Sequence, residues 1–234
     1  MWVGGVLLLL TIGLAALGYS VFGNTSPIVD GQNVADGVEQ VKDGFVSVFV
    51  VDAGPGKVAL IDAGNDKSGK AILSALGKRG LSSGAVAAIF LTHGHPDHTA
   101  GSKLFPDAQV YALESELPLI GEAAKIGHPL RDGEVTTVGD LRVETFAVPG
   151  HTPGSAVYLA RGVLFFGDSA GASKAAELMP PPRVFTKDPA QNVSSLKALA
   201  AHLQPRAADI KVLAFAHSGP LAGLQPLIAF AGSH

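Results

Sequence analysis

Leu91-Thr92-His93-Gly94-His95-Pro96-Asp97-His98-Thr99-Ala100-Gly101 places three imidazoles and a carboxylate in six consecutive positions, 93 to 98. The apolar run Ala85–Leu91 leads into it and reads as a buried strand ending at the histidines. Pro96 blocks a helix before it and suits the first turn of one after it. The predicted order is therefore strand, ligand loop, then a short helix from about Asp97. Histidines at i and i+2 on an extended segment point the same way and can share one metal ion. Asp97 and His98 lie just past the turn, placed to serve a second ion nearby. Four ligand-type residues in six positions set this stretch apart from an ordinary exposed polar loop.

Three later apolar runs each end in one more ligand-type residue. His151 follows Val143–Gly150, Asp168 follows Val163–Gly167, and His217 follows Ile210–Ala216. Strand ends gathered at one edge of a sheet are where α/β folds build sites. With these residues in view the chain resembles the metallo-β-lactamase superfamily of metal-dependent hydrolases. The HxHxDH signature matches His93, His95, Asp97 and His98, and Gly-His-Thr-x-Gly matches Gly150–Gly154. The Gly-Asp strand end matches Gly167-Asp168, the final His matches His217, and the likeness spans roughly residues 35 to 220.

The resemblance implies an α/β fold, a four-layer αββα sandwich, and a two-metal site. It assigns His93, His95 and His151 to one metal, Asp97, His98 and His217 to the other, and Asp168 to a bridge between them. Asp62, after the strand Val58–Ile61, is implied to orient a ligand imidazole rather than to bind metal, a role suited to a carboxylate facing a ring N–H. There are no cysteines, so the ligands must be His and carboxylate. That donor set suits two Zn²⁺, with Fe and Mn also admitted. Two such cations lower the pKa of a bridging water toward neutrality and leave hydroxide to attack a carbonyl; Asp97 is placed to take the released proton, which makes Asp97 and Asp168 the expected catalytic carboxylates.

The rest of the chain frames this site. An apolar content of 47% supports a sizeable core. A net charge of −3, with no basic stripe, gives no reason to expect a nucleic-acid partner. Trp2 to Phe22 carries no charged side chain and is long enough to span a bilayer as a helix. Residues 1–23 are accordingly expected to be a membrane anchor or a cleaved signal, the alternative being a buried core helix. The acidic residues that follow favour a catalytic domain outside the cytoplasm. Residues 24–37 read as a linker and 38–234 as the catalytic domain.

Within that domain, Asp43-Gly44, Gly139-Asp140 and Arg161-Gly162 mark hairpin turns. Asp66 or Ser68 is expected to cap a helix reaching about Arg79, and Asp188-Pro189 to start another with a core stripe of Val193, Leu196, Leu199, Ala200 and Leu203. Glu114 and Glu116 read as a solvated helix start, and His128 as an exposed side chain. A last helix is expected over about Leu221 to Phe230. Val58–Gly64 and Val163–Gly171 share a pattern of apolar strand, Asp, small residue and Gly, which suits two similar halves packed face to face.

Within the family it resembles, the chain is expected to act on a small-molecule acyl substrate, an ester, thioester or lactone. True β-lactamases of the family generally lack an Asp at the bridging position. Glyoxalase II enzymes share the full ligand set but add a C-terminal helical region that binds glutathione; 17 residues follow His217, too few for that region. Ser169–Lys187, with three consecutive prolines, reads as a long loop that selects substrate, with Arg183 and Phe185 as its contacts. A persulfide dioxygenase with a single iron is the alternative enzyme. A membrane-anchored metal-binding module is the non-enzymatic one, and the intact ligand set speaks against it.

Overall fold

The computed structural model describes residues 23–234. The expected N-terminal helix lies outside the described residues, and no helix among those described is long and apolar enough to cross a membrane.

Two β-sheets form the middle of the molecule. The first runs in spatial order β1 (Gln32–Ala35), β2 (Val38–Asp43), β3 (Val46–Asp52), β4 (Val58–Ile61), β5 (Val86–Phe90), β6 (Gln109–Leu113) and β7 (His128–Leu130). Pairing is antiparallel up to β4 and parallel from β4 to β7. The second contains β8 (Val135–Val138), β9 (Leu141–Ala147), β10 (Ala156–Ala160), β11 (Val163–Phe165), β14 (Val212–Ala214) and β15 (Leu221–Ala222). Its order is β15-β14-β11-β10-β9-β8, with only β11 and β14 parallel. A small hairpin, β12 (Gly171–Ala172) with β13 (Leu178–Met179), stands apart.

The strands alternate with period two, and both faces are apolar because both are covered. In β4, Ala59 and Ile61 face the other sheet, while Val58 and Leu60 face the helix α1 (Lys70–Lys78). In β11, Val163 and Phe165 face inward and Leu164 faces outward, toward α4 (Pro189–Leu203) and α5 (Gln225–Ser233). Three apolar layers thus separate helix, sheet, sheet and helix, which is the αββα sandwich expected. The two echoed segments occupy matching places. Each of β4 and β11 has one antiparallel and one parallel neighbour, and each is followed by an Asp, Asp62 or Asp168.

Four expectations need correction. The segment read as a linker, 24–37, is docked on the domain. Its residues 32–35 form β1 against β2, and Ser26 N–H donates to Ala172 O (2.9 Å). A short polar edge strand leaves almost no periodic signal. Neither Asp66 nor Ser68 caps α1: the Asp66 carboxylate accepts from Ser68 N–H (2.8 Å) one turn earlier, and the chain enters the helix through Gly69 at φ 59°. Ser169–Lys187 is not wholly irregular, since it contains the β12–β13 hairpin. Leu221 and Ala222 continue the second sheet as β15, so the last helix begins only at Gln225, with Pro226 in its first turn.

Candidate metal centre

The ligand loop begins where β5 runs out. Asp62 stands at φ 62°, a left-handed conformation that Asp tolerates better than most side chains. This turns its carboxylate back across the ends of β4 and β5. Oδ1 accepts from Thr92 N–H (2.7 Å), and Oδ2 accepts from the Thr92 hydroxyl (2.9 Å) and from His98 Nδ1–H (2.8 Å). The helix α2 (Pro96–Thr99) starts at Pro96 and swings Asp97 and His98 away from His93 and His95.

The structure brings all seven predicted ligand residues together in two groups. In the first, His95 Nδ1 lies 3.0 Å from His93 Nε2 and 3.1 Å from His151 Nε2, and Asp168 Oδ2 lies 3.9 and 3.5 Å from those two Nε2 atoms. In the second, Asp97 Oδ2 is 3.6 Å from His98 Nε2 and 3.4 Å from His217 Nε2, and Asp168 Oδ1 is 3.3 and 3.1 Å from the same nitrogens. Two donors on one tetrahedral Zn²⁺ with bonds of about 2.0–2.1 Å sit roughly 3.3 Å apart, so both groups have the spacing of donors around a single cation. His98 Nε2 and Asp168 Oδ1 are buried with no hydrogen-bond partner, a state that buried polar atoms rarely occupy without a reason. The residues therefore fit a pair of metal ions. Each group draws two residues from the first sheet's loops and two from the second's, Asp168 counting in both.

Three of the five rings, His93, His98 and His217, are held so that the converging nitrogen keeps its lone pair. His98 is oriented directly by Asp62. His93 is oriented through Thr92, whose hydroxyl donates to Asp62 and lies 3.1 Å from His93 Nδ1. One carboxylate thus aligns a ligand in each group. His217 Nδ1–H donates to the Phe45 carbonyl (2.9 Å), in the turn between β2 and β3. Gly167, at φ 52°, lets Thr92 approach the second sheet: a Cβ there would lie 2.3 Å from the Thr92 hydroxyl oxygen.

Electrostatics divides the imidazoles. Burial pushes His93 well below its ordinary pKa, and pushes His151 down to about 4. Burial acts the same way on His98 and His217, but Asp168 outweighs it at both, with Asp62 helping at His98 and Asp97 at His217. His98 is held well above its usual value and His217 is pushed up to about 10. Burial would raise the Asp168 carboxyl, but His98 and His217 hold it well below the carboxylate range. A cation held by Asp97, His98, His217 and Asp168 would take the place of these protons.

Glu116 was not recognisable from the sequence as part of this assembly. Expected to be solvated, it is fully buried. Its Oε1 accepts from Gly94 N–H (2.8 Å) and its Oε2 from Gly154 N–H (2.7 Å). It thereby clamps the His93–His95 loop to the loop of His151. Both glycines are packed too tightly for a side chain; a Cβ on Gly154 would lie 2.4 Å from Glu116 N. A glutamate at the start of an irregular turn carries no periodic signal; only the paired glycines hint at a close approach. Glu116→Ala leaves two buried N–H groups unpaired, each costing on the order of 1–3 kcal/mol. The expected result is a lower thermal midpoint for chelator-treated protein and weaker metal retention. Equal midpoints and equal metal content in variant and wild type would remove the clamp.

The remaining candidates lie elsewhere. His128 is exposed at the sheet edge and pairs with Glu134 (2.7 Å). Arg183 and Phe185 sit on an exposed 3-10 turn and belong to neither group. That turn is tied in by Lys187 N–H, which donates to the His151 carbonyl (3.1 Å).

The sequence profile described as the Metallo-beta-lactamase superfamily matches residues 41–217. The chain belongs to the metallo-β-lactamase superfamily. Among relatives of this superfamily member, a hydroxyacylglutathione hydrolase from Aeromonas hydrophila is 38% identical over 121 residues, 49% of this chain and 42% of that protein. One from Acaryochloris marina is 30% identical over 164 residues, 65% of this chain and 58% of that protein. The chain thus spans about half the length of the curated relatives it matches. A metallo-β-lactamase family protein from Thermus thermophilus superposes with a TM-score of 0.66 at 24% identity, covering 86% of this chain and 80% of that one. A subclass B3 metallo-β-lactamase of Bradyrhizobium japonicum gives 0.65 at 23%, covering 89% and 91%. At these identities the two structures speak for the fold.

Proposed function

We propose that the chain is a dinuclear metal-dependent hydrolase acting at the carbonyl of a small ester, thioester or lactone. The observation that carries this reading is Asp168, whose two oxygens face the two donor groups at 3.1 to 3.9 Å. His93, His95 and His151 would hold one ion and Asp97, His98 and His217 the other. Zinc suits the donors best, with iron and manganese admitted. When bound, such a pair activates water and polarises a carbonyl. The chain's own part is to fix the spacing through Asp168, to keep the ring lone pairs aimed through Asp62, Thr92 and the Phe45 carbonyl, and to offer Asp97 as a proton acceptor. Arg183 and Phe185 are proposed to meet the substrate from the rim. The two relatives named for hydroxyacylglutathione hydrolysis support a carbonyl substrate in the thioester class.

Elemental analysis of the purified chain, paired with assays on esters, thioesters and lactones, tests the proposal. We expect close to two transition-metal ions per chain and turnover of at least one acyl class. A single ion after careful loading would refute the dinuclear site. One tightly held iron, with oxygen consumption on a persulfide, would replace the hydrolase by a dioxygenase.

A further inference from the structure

A cavity of about 360 Å³ opens at the end of the molecule away from the metal centre. The strand β4 begins at its lining, at Val58, and leads to Asp62; β11 begins just after the lining residue Arg161 and leads to Asp168. None of the lining residues belongs to the ligand loops or to α3 (Leu117–Ile120), the short helix packed on Gly94. The charged lining is three cations, Lys57, Arg79 and Arg161, against one carboxylate, Asp52, an excess of two positive charges. Arg79 takes the Asp52 carboxylate as its ion pair. Arg161 Nε–H donates to the Asp52 carbonyl (2.9 Å), which fixes the guanidinium at the cavity wall. Neither its Nη groups nor the Lys57 ammonium has an acidic partner among the described residues. Gly54 and Gly56 also line the cavity, and their N–H groups donate to no other described residue. The Asp140 carboxylate approaches Gly54 but is not part of the lining.

The turn that carries Arg161 adds an independent sign. Arg161 at φ 49° and Gly162 at φ 75° are the two-residue connection between β10 and β11. Such a turn needs positive φ at both positions, which Gly, Asn and Asp adopt most readily. An arginine there holds a strained backbone, of the kind that clusters at binding sites. We propose that this cavity binds a phosphate group, as the free ion or as a phosphate monoester. A phosphate dianion matches the excess of two charges, and its oxygens suit the forked N–H donors of arginine. The glycines let it come close to main-chain N–H groups. The site is separate from the hydrolase reading and does not depend on it.

The experiment titrates the full, metal-loaded chain calorimetrically with inorganic phosphate and, separately, with glycerol 3-phosphate, at constant ionic strength in chloride. We expect saturable binding of at least one of them. Arg161→Asn keeps a residue suited to positive φ, and Lys57→Gln changes an exposed side chain, so both variants should fold. Each removes charge-assisted hydrogen bonds and should weaken binding on the order of tenfold or more. Their thermal midpoints without phosphate should match the wild type. Tighter binding of glycerol 3-phosphate would identify a monoester as the occupant, and tighter binding of inorganic phosphate the free ion; either supports the site. Binding that persists unchanged in both variants would place the anion on the metal ions instead, and no binding of either probe would leave the cavity without this function. Each of those two results overturns the proposal, whether or not the chain hydrolyses esters.

Discussion

Replacing Asp168 by Asn should lower kcat by more than about 100-fold, beyond the 10–100-fold typical of removing an outer partner of a metal ligand. Asn has the same shape, so the apolar strand β11 and the close contact of Gly167 with Thr92 are kept. What is lost is one of the two negatively charged oxygens. Asp168 Oδ1 lies among His98 and His217, and Oδ2 among His93 and His151. An amide can offer an oxygen to only one group and turns an NH₂ toward the other. Metal should therefore be retained at one group and weakened at the other, and kcat should fall far more than KM rises. Steady-state kinetics with metal measured on the same sample checks this. Full turnover at two ions per chain would show that Asp168 does not set the spacing.

Asp62→Asn should weaken metal binding about 10- to 100-fold, without touching a ligand. The substitution keeps a residue that accepts φ 62°, which Ala would not. An Asn oxygen can still accept from Thr92 N–H, but its NH₂ then faces His98 Nδ1, which already carries a proton. To relieve that clash the imidazole must move its proton to Nε2, the nitrogen that lies near Asp97 and Asp168. The effect should appear first at the group containing His98, and less strongly at His93, which Asp62 reaches through Thr92. Competition with a chromophoric chelator would resolve the two affinities. Unchanged affinities would mean that other contacts are enough to orient His98.

The centre was legible in the sequence to an unusual degree because its chemistry is local. His93, His95, Asp97 and His98 fall within six residues, and His151, Asp168 and His217 each end a run of apolar residues that declares itself as a strand. The sandwich was legible for a related reason: strands buried on both faces read as unbroken apolar runs. What stayed hidden depends on contacts distant in sequence. Glu116 is defined by two glycines, one 22 positions earlier and one 38 later. Thr92 looked like the residue before a ligand, and its part in joining Asp62 to His93 exists only once β4 and β5 lie side by side. The polar strand β1 acquires its conformation from pairing with β2 rather than from its own residues. The cap of α1 was missed because Asp66 found a nearer N–H, which is the usual competition between Asp and a helix start.

Because neither sheet owns a complete set of donors, the order in which the chain leaves the ribosome bears on when it can hold metal. The first group is incomplete until Asp168, residue 168 of 234, has been made, and the second waits for His217. Each cation of the proposed pair would join loops from both halves of the sandwich, so its coordination would follow the docking of one sheet on the other. On the proposed reading, metal capture would be a late event in the making of this protein, one that seals an assembled sandwich rather than nucleating it.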